Sequence, residues 1–216
     1  MNPEIIIMLT NNDITVTNAE EVFESCKDLP AKKWGFKDIG LPKEEMIQLA
    51  KKMKDAGKET YIEVVTYTEE GCLEGAKLAY ECGFDYLTGA LPFDSVFEYA
   101  KEHNLKYSPF CGTVGGSPVA LSGTIDEIVA SAKDCIAKGA TGVDLNPIEL
   151  TRAVVEAIVA DKVCIAGSVG NVERMNEMKE AGVAEYTMGS ALFNANFVKD
   201  GTFRENLEFV LDYLKK

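Results

Sequence analysis

Apolar positions along this chain fall into two alternating patterns. Short unbroken runs, such as Ile5-Ile6-Ile7-Met8-Leu9, read as strands buried on both faces. Longer stretches repeat apolar residues at helical spacing, as with Met46, Leu49, Ala50 and Met53. The first pattern predicts strands at Ile5–Leu9, Trp34–Ile39, Tyr61–Thr66, Tyr86–Thr88, Lys106–Phe110, Gly142–Leu145, Val163–Ala166 and Tyr186–Met188. The second predicts helices over Asn18–Cys26, through Met46–Met53 to a stop at Gly57, and over Glu69–Cys82 and Asp94–Glu102. Further helices are expected from Thr124 to Ala137, over Glu149–Ala160, through Met175 and Met178 to Gly182, and over Glu205–Leu214. Asn18 with Glu21, and Thr124 with Glu127, have the spacing of capping boxes.

One phrase recurs: a helix end, Ala-Gly, Cys-Gly or Lys-Gly, then a strand. It reads DAGKETYIEV, YECGFDYLTG, AKGATGVDLN and EAGVAEYTMG. This is the helix-stop and strand-start signature of βα units. The repeating alternation predicts one α/β domain over residues 1–216, a parallel (β/α)8 TIM barrel. An open doubly wound sheet is the alternative. It would carry its main glycine-rich loop after the first strand, where this chain has Thr10-Asn11-Asn12-Asp13.

Glycines sharpen the picture between Lys162 and Phe193. The seventh and eighth strands each end in a turn, Gly167-Ser168-Val169-Gly170 and Gly189-Ser190. Glycine lets backbone approach a ligand closely, and N–H groups at a helix start favour an anion. Gly167, Ser168, Gly170, Gly189 and Ser190 are therefore candidates for holding a phosphate, as turns after strands 7 and 8 do in barrels. Tight βα turns without a ligand are the competing reading.

Strand parity then selects candidate chemistry. Trp34 and Phe36 form a natural outward pair, so Lys37 should face the lumen. By the same argument Glu63, Asp144 and Asn146 face inward. Charges in a barrel core are costly unless paired. A structural lysine–carboxylate network is one reading. The other is a catalytic set at the C-terminal ends of strands. Asn11 or Asp13 could reach the mouth from the first loop, or could serve only the turn. The stretch Cys111 to Ser122 is expected to be irregular, and its Gly115, Gly116 and Ser117 are candidates for a substrate loop or lid, with a plain connection as the alternative.

Composition narrows the function classes. The formal charge is -13 with no Lys/Arg block, which argues against nucleic acid and anionic membranes as partners. The six cysteines show no CxxC spacing, so neither a disulfide framework nor a zinc site is expected. The first apolar run is too short for a signal peptide or a membrane span. A cytoplasmic protein follows as the expectation, with a homo-oligomer left open. His103 is the only histidine, in a surface-like KEHN context, which excludes mechanisms needing two imidazoles. No motif demands a metal or an organic cofactor, although Asp13, Glu63 and Asp144 could together offer oxygen ligands to Mg²⁺.

At IAGSVGNVERMNEMKEAGVAEYTMGSALF the chain resembles the ribulose-phosphate-binding barrel superfamily, over about its last quarter. The resemblance implies backbone binding of phosphate at Gly167, Ser168, Gly170, Gly189 and Ser190, with chemistry on other strands. The chain departs from individual members. It lacks the metal-binding histidines of the epimerases. It has Val143-Asp144-Leu145 where the keto-deoxy-phosphogluconate aldolases carry a Schiff-base lysine on strand six. It places Gly35, Lys37 and Gly40 on the Asp-x-Lys-x-x-Asp spacing of the orotidine-phosphate decarboxylases, leaving the lysine without that pattern's carboxylates.

Two functions fit. One is an enzyme on a small phosphorylated sugar or keto acid, either an aldolase-type lyase or a sugar-phosphate isomerase. Lys37 would form a Schiff base or hold an enolate oxygen, Glu63 would be the acid/base, and Asp144 would orient Lys37 or share the proton. The other is a non-catalytic barrel that binds a phosphometabolite in a regulatory role.

Overall fold

The computed structural model describes residues 2–116, 120–145, 151–158 and 162–215. In chain order the strands are β1 (Glu4–Met8), a hairpin of β2 (Thr10–Asn11) and β3 (Ile14–Thr15), β4 (Lys33–Lys37), β5 (Glu59–Val64), β6 (Tyr86–Gly89), β7 (Lys106–Ser108), a second hairpin of β8 (Thr113–Gly115) and β9 (Ala120–Ser122), β10 (Val143–Leu145), β11 (Val163–Ile165) and β12 (Glu185–Met188). The helices are α1 (Ala19–Cys26), α2 (Lys43–Asp55), α3 (Glu69–Glu81), α4 (Asp94–Glu102), α5 (Ile125–Ala137), α6 (Thr151–Ala157), α7 (Val172–Ala181), α8 (Ser190–Phe193) and α9 (Phe203–Leu214).

Eight strands pair in parallel in the order β10-β11-β12-β1-β4-β5-β6-β7. The two ends meet through Thr141 N–H to Tyr107 O (2.8 Å) and Asp144 N–H to Pro109 O (2.8 Å). Those bonds close the sheet into a barrel and remove its edges. The open doubly wound alternative does not survive this closure.

Alternation along each strand sends one set of side chains outward to the helices. Trp34, Phe36, Ile62, Leu87, Val143 and Tyr186 belong to this outer core. Phe23 of α1 meets Trp34 edge-on, with ring centroids 5.2 Å apart. Burying each such side chain stabilises by roughly 1.5–3 kcal/mol. The other set fills the lumen, where Ile6, Met8, Tyr61 and Cys164 pack with Tyr86. Tyr61 and Tyr86 stack with centroids 4.2 Å apart. Gly35 makes room for this layer, since a Cβ there would lie 2.6 Å from Tyr61 O.

Local chemistry explains most helix starts. Thr124 and Glu127 form the expected capping box, and Thr202 with Glu205 forms a second one that moves the last helix start back to Phe203. Asn18 does not cap α1 with its side chain. Its φ of -97° and ψ of 26° lie outside the extended conformation that aims a capping oxygen at the first turn. The first loop, Thr10 to Thr15, is a hairpin and not an open loop. The stretch Cys111 to Ser122 contains a hairpin too, with Val114 opposite Leu121. Of the helix expected over Glu149–Ala160, the described part is Thr151–Ala157.

Candidate functional site

β4 presents Lys33, Gly35 and Lys37 to the lumen, and Lys37 reaches the C-terminal mouth. Its side chain is 9% exposed. The ammonium donates to Asp13 Oδ1 at 2.9 Å and lies 3.4 Å from Glu63 Oε1. Strand pairing sets the second contact, because Lys37 and Glu63 are direct partners in the β4–β5 register. The hairpin sets the first. Asn12 and Asp13 both take left-handed backbone, with φ of 50° and 64°. Asn and Asp tolerate that conformation in a two-residue turn. The hairpin is also locked to the backbone of Lys37: Thr15 Oγ1 donates to Lys37 O (2.8 Å) and accepts from Lys37 N–H (2.9 Å).

The charges here are shifted. Burial opposes the charge on Lys37, but Glu63 and Asp13 outweigh it and raise its pKa, so the amine stays protonated. Burial pushes the Glu63 carboxyl up, against the pull of Lys37. A carboxyl raised in this way and facing a cavity is suited to proton transfer near neutral pH.

Asp144 faces inward from β10, but its surroundings differ from those expected. It is 2% exposed. Its carboxyl accepts from Gly89 N–H at 3.1 Å and lies 3.4 Å from the Ser108 hydroxyl. Burial, then the neighbouring Glu63 charge, raise its pKa well above the ordinary range. The expected contact with Lys37 is not made, since three strands of the sheet separate β4 from β10. Lys37 is oriented by Asp13 and Glu63 instead.

At the same mouth, the turns after β11 and β12 lie side by side. Gly167 N–H donates to Thr187 Oγ1 at 2.7 Å. Ser168 holds φ at 63°, an uncommon conformation for serine that clusters at ligand sites. Gly189 packs on the hairpin so closely that a Cβ would lie 2.6 Å from Thr10 O. Asn12 N–H donates to Ser190 Oγ at 3.0 Å. The hairpin thus touches both the Gly189-Ser190 turn and Lys37. Between them is a cavity of about 380 Å³ lined by Asp13, Lys37 and Glu63 and by Gly167, Ser168, Gly170, Gly189 and Ser190.

Other candidates lie elsewhere. Asn11 is in the hairpin with Oδ1 buried and unpartnered. Gly115 ends β8, and Gly116 O accepts from the Tyr67 hydroxyl at 2.6 Å. Neither lines the cavity. Ser117 and Asn146 fall outside the described residues. His103 stacks on Tyr99 at 4.0 Å, away from the mouth. Among the described residues no group of three His, Cys, Asp or Glu could hold a metal, so the Mg²⁺ set of Asp13, Glu63 and Asp144 does not assemble. No helix among those residues is long and apolar enough to cross a membrane.

Sequence reasoning left two features out. Thr15 carried no signal beyond a strand-like threonine, and its role depends on the hairpin. Parity applied one step further down β4 would have placed Lys33 in the lumen, where it meets Glu4 at 2.6 Å and Glu185 at 2.5 Å.

No protein-family model and no curated protein sequence matches the chain. Solved structures do match in shape. An orotidine 5'-phosphate decarboxylase from Pyrococcus horikoshii OT3 superposes with a TM-score of 0.74 at 15% identity, covering 98% of this chain and 99% of that one. A native KDPGal structure gives 0.70 at 14% identity, covering 100% and 98%. A glycerol uptake operon antiterminator regulatory protein from Listeria monocytogenes gives 0.60 at 15%, covering 88% and 93%. The chain shares the (β/α)8 TIM-barrel fold of these proteins. At these identities the likeness establishes the fold and identifies no individual family. One departure from the decarboxylase spacing reads differently in three dimensions. Gly35 and Gly40 stand where that pattern has Asp, yet Lys37 does have two carboxylates, from β5 and the hairpin.

Proposed function

We propose that this chain is an enzyme that acts on a small phosphorylated sugar or keto acid, by shifting a proton next to the carbonyl. The observation that carries this reading is one cavity with Lys37 and Glu63 on one wall and two glycine turns on the other. The turns would hold the phosphate through backbone N–H groups and so fix the carbonyl end against Lys37. Glu63 as carboxylate takes the proton from the carbon beside the carbonyl. The Lys37 ammonium stabilises the enolate oxygen that forms. Protonated Glu63 then returns the proton to the former carbonyl carbon, while the hydroxyl proton of the adjacent carbon passes to the former carbonyl oxygen and leaves the new carbonyl. Asp13 keeps Lys37 charged and in place. The same charge disfavours the Schiff-base route, which needs a neutral amine. Likeness in fold to the aldolase KDPGal and to an orotidine-phosphate decarboxylase supports phosphosugar chemistry in general terms.

The test is a panel of phosphorylated sugars incubated with the protein in D2O and followed by NMR. Deuterium should enter beside the carbonyl of a substrate, and Glu63→Gln should slow that exchange by about 10²-fold or more. Undiminished exchange in Glu63→Gln would remove Glu63 from the mechanism. Borohydride should trap no adduct. A trapped Lys37 adduct would replace the proton shift with the aldolase form. A second reading is a regulatory phosphometabolite-binding barrel, favoured by the likeness in fold to the antiterminator regulatory protein. It predicts ligand binding with no exchange on any bound ligand.

A further inference from the structure

The charge inventory of the cavity restricts the substrate further, on the reading that a phosphate sits in the glycine turns. Lys37 is the only lysine or arginine among the described residues that line the cavity. The one cation already has two anionic partners, Asp13 at 2.9 Å and Glu63 at 3.4 Å. The phosphate wall offers backbone N–H groups and neutral side chains. No cation is left for a second anionic group on the ligand.

The uncharged chemistry points the same way. Asp13 and Glu63, when ionised, only accept hydrogen bonds. Thr10 and Asn194, which also line the cavity, can both accept and donate. Hydroxyl groups suit such a wall because they donate to carboxylates. A ligand carboxylate would face two like charges with no free partner, and like-charge juxtaposition is strongly unfavourable. The formal charge of -13 on the whole chain adds a repulsive background.

We propose that the ligand is an aldose or ketose phosphate whose far end is uncharged and hydroxylated, and not a phosphorylated acid. This narrows the proposed function by removing the keto acid. It also assigns Asp13 as a specificity residue: it occupies Lys37 and repels acidic ligands.

The test is calorimetric binding at low ionic strength with matched probes. Ribose 5-phosphate and 5-phosphoribonate share five carbons and the phosphate; the first has an uncharged, hydroxylated far end and the second a carboxylate. Inorganic phosphate probes the glycine turns alone. Ribose 5-phosphate should bind at least about tenfold tighter than 5-phosphoribonate. That ratio should shrink in 0.5 M salt and in Asp13→Asn, whose side chain is 61% exposed in the wild type and so replaceable without loss of fold. Equal or tighter binding of 5-phosphoribonate would overturn the inference and leave the phosphate site standing. A ratio unchanged in Asp13→Asn would remove Asp13 from specificity. Failure of all three probes to bind would instead defeat the phosphate reading itself.

Discussion

Two lysines lie on the same face of β4, and each is held between two carboxylates, one of them exposed. At the floor of the barrel, Lys33 meets Glu185 at 2.5 Å and Glu4 at 2.6 Å. At the mouth, Lys37 meets Asp13 at 2.9 Å and Glu63 at 3.4 Å. The floor cluster lies beneath the layer that holds the stacked Tyr61 and Tyr86 rings, and it lines no cavity at the mouth. The mouth cluster opens onto one. Both lysines are kept charged, since their carboxylates outweigh burial. At the mouth, burial raises the pKa of Glu63 against the pull of Lys37. Close pairing at the floor cancels charge and ties three strands together. Looser pairing at the mouth keeps part of the desolvation cost in a group that a ligand can reach.

Replacing each lysine should separate these roles. Lys37→Met or Glu63→Gln should lower kcat/KM on the true substrate by about 10²–10⁴-fold, with the fold intact by circular dichroism. In the wild type the acid limb of kcat/KM should lie above the ordinary carboxylate range, and Glu63→Gln should abolish that limb. Lys33→Met should do the opposite. It leaves Glu185 without its cation, at a cost of about 2–4 kcal/mol in urea unfolding, while turnover per folded molecule stays near wild type. If Lys33→Met removed turnover without loss of stability, the division between floor and mouth would be wrong.

A smaller effect should come from the hairpin. Thr15→Val keeps the shape but strips Lys37 of both backbone partners, leaving a buried N–H unpaired. The expected loss is about 1–3 kcal/mol of stability, with a larger fractional fall in kcat than in KM as Lys37 loses its position. An unchanged kcat would mean that the strand alone positions Lys37.

The smallest effect concerns Asp144. Its folded pKa is raised, so the folded state binds its proton more tightly than the unfolded chain. Stability from this group is present below the unfolded pKa and falls as pH rises toward the folded pKa. Asp144→Asn retains an acceptor for Gly89 N–H and removes the titration. Unfolding free energy measured as pH rises above the ordinary carboxylate range should fall less steeply in the variant. Parallel slopes would show that another group carries the dependence.

The barrel and the inward set were legible because both rest on short-range periodicity. An unbroken apolar run marked β1, and parity alone sent Lys37, Glu63 and Asp144 into the lumen. What parity cannot provide is azimuth around the barrel. Asp144 shares the lumen with Lys37 but lies on a strand separated from β4 by three others, so its expected contact did not form. The Asp13 contact was equally hidden, because it depends on two consecutive left-handed residues in a loop of four polar residues. The Asn18 cap failed for a related reason. The residue type fits, but the backbone around it does not.

A crystal structure grown in phosphate would show whether the mouth binds a phosphorylated ligand between the glycine turns and the Lys37–Glu63 pair. An anion should be held by the N–H groups of Ser168–Gly170 and Ser190, with Lys37 and Glu63 open to the same cavity. An empty turn, with Lys37 and Glu63 sealed together as Lys33 and Glu185 are, would contradict phosphate binding at the mouth.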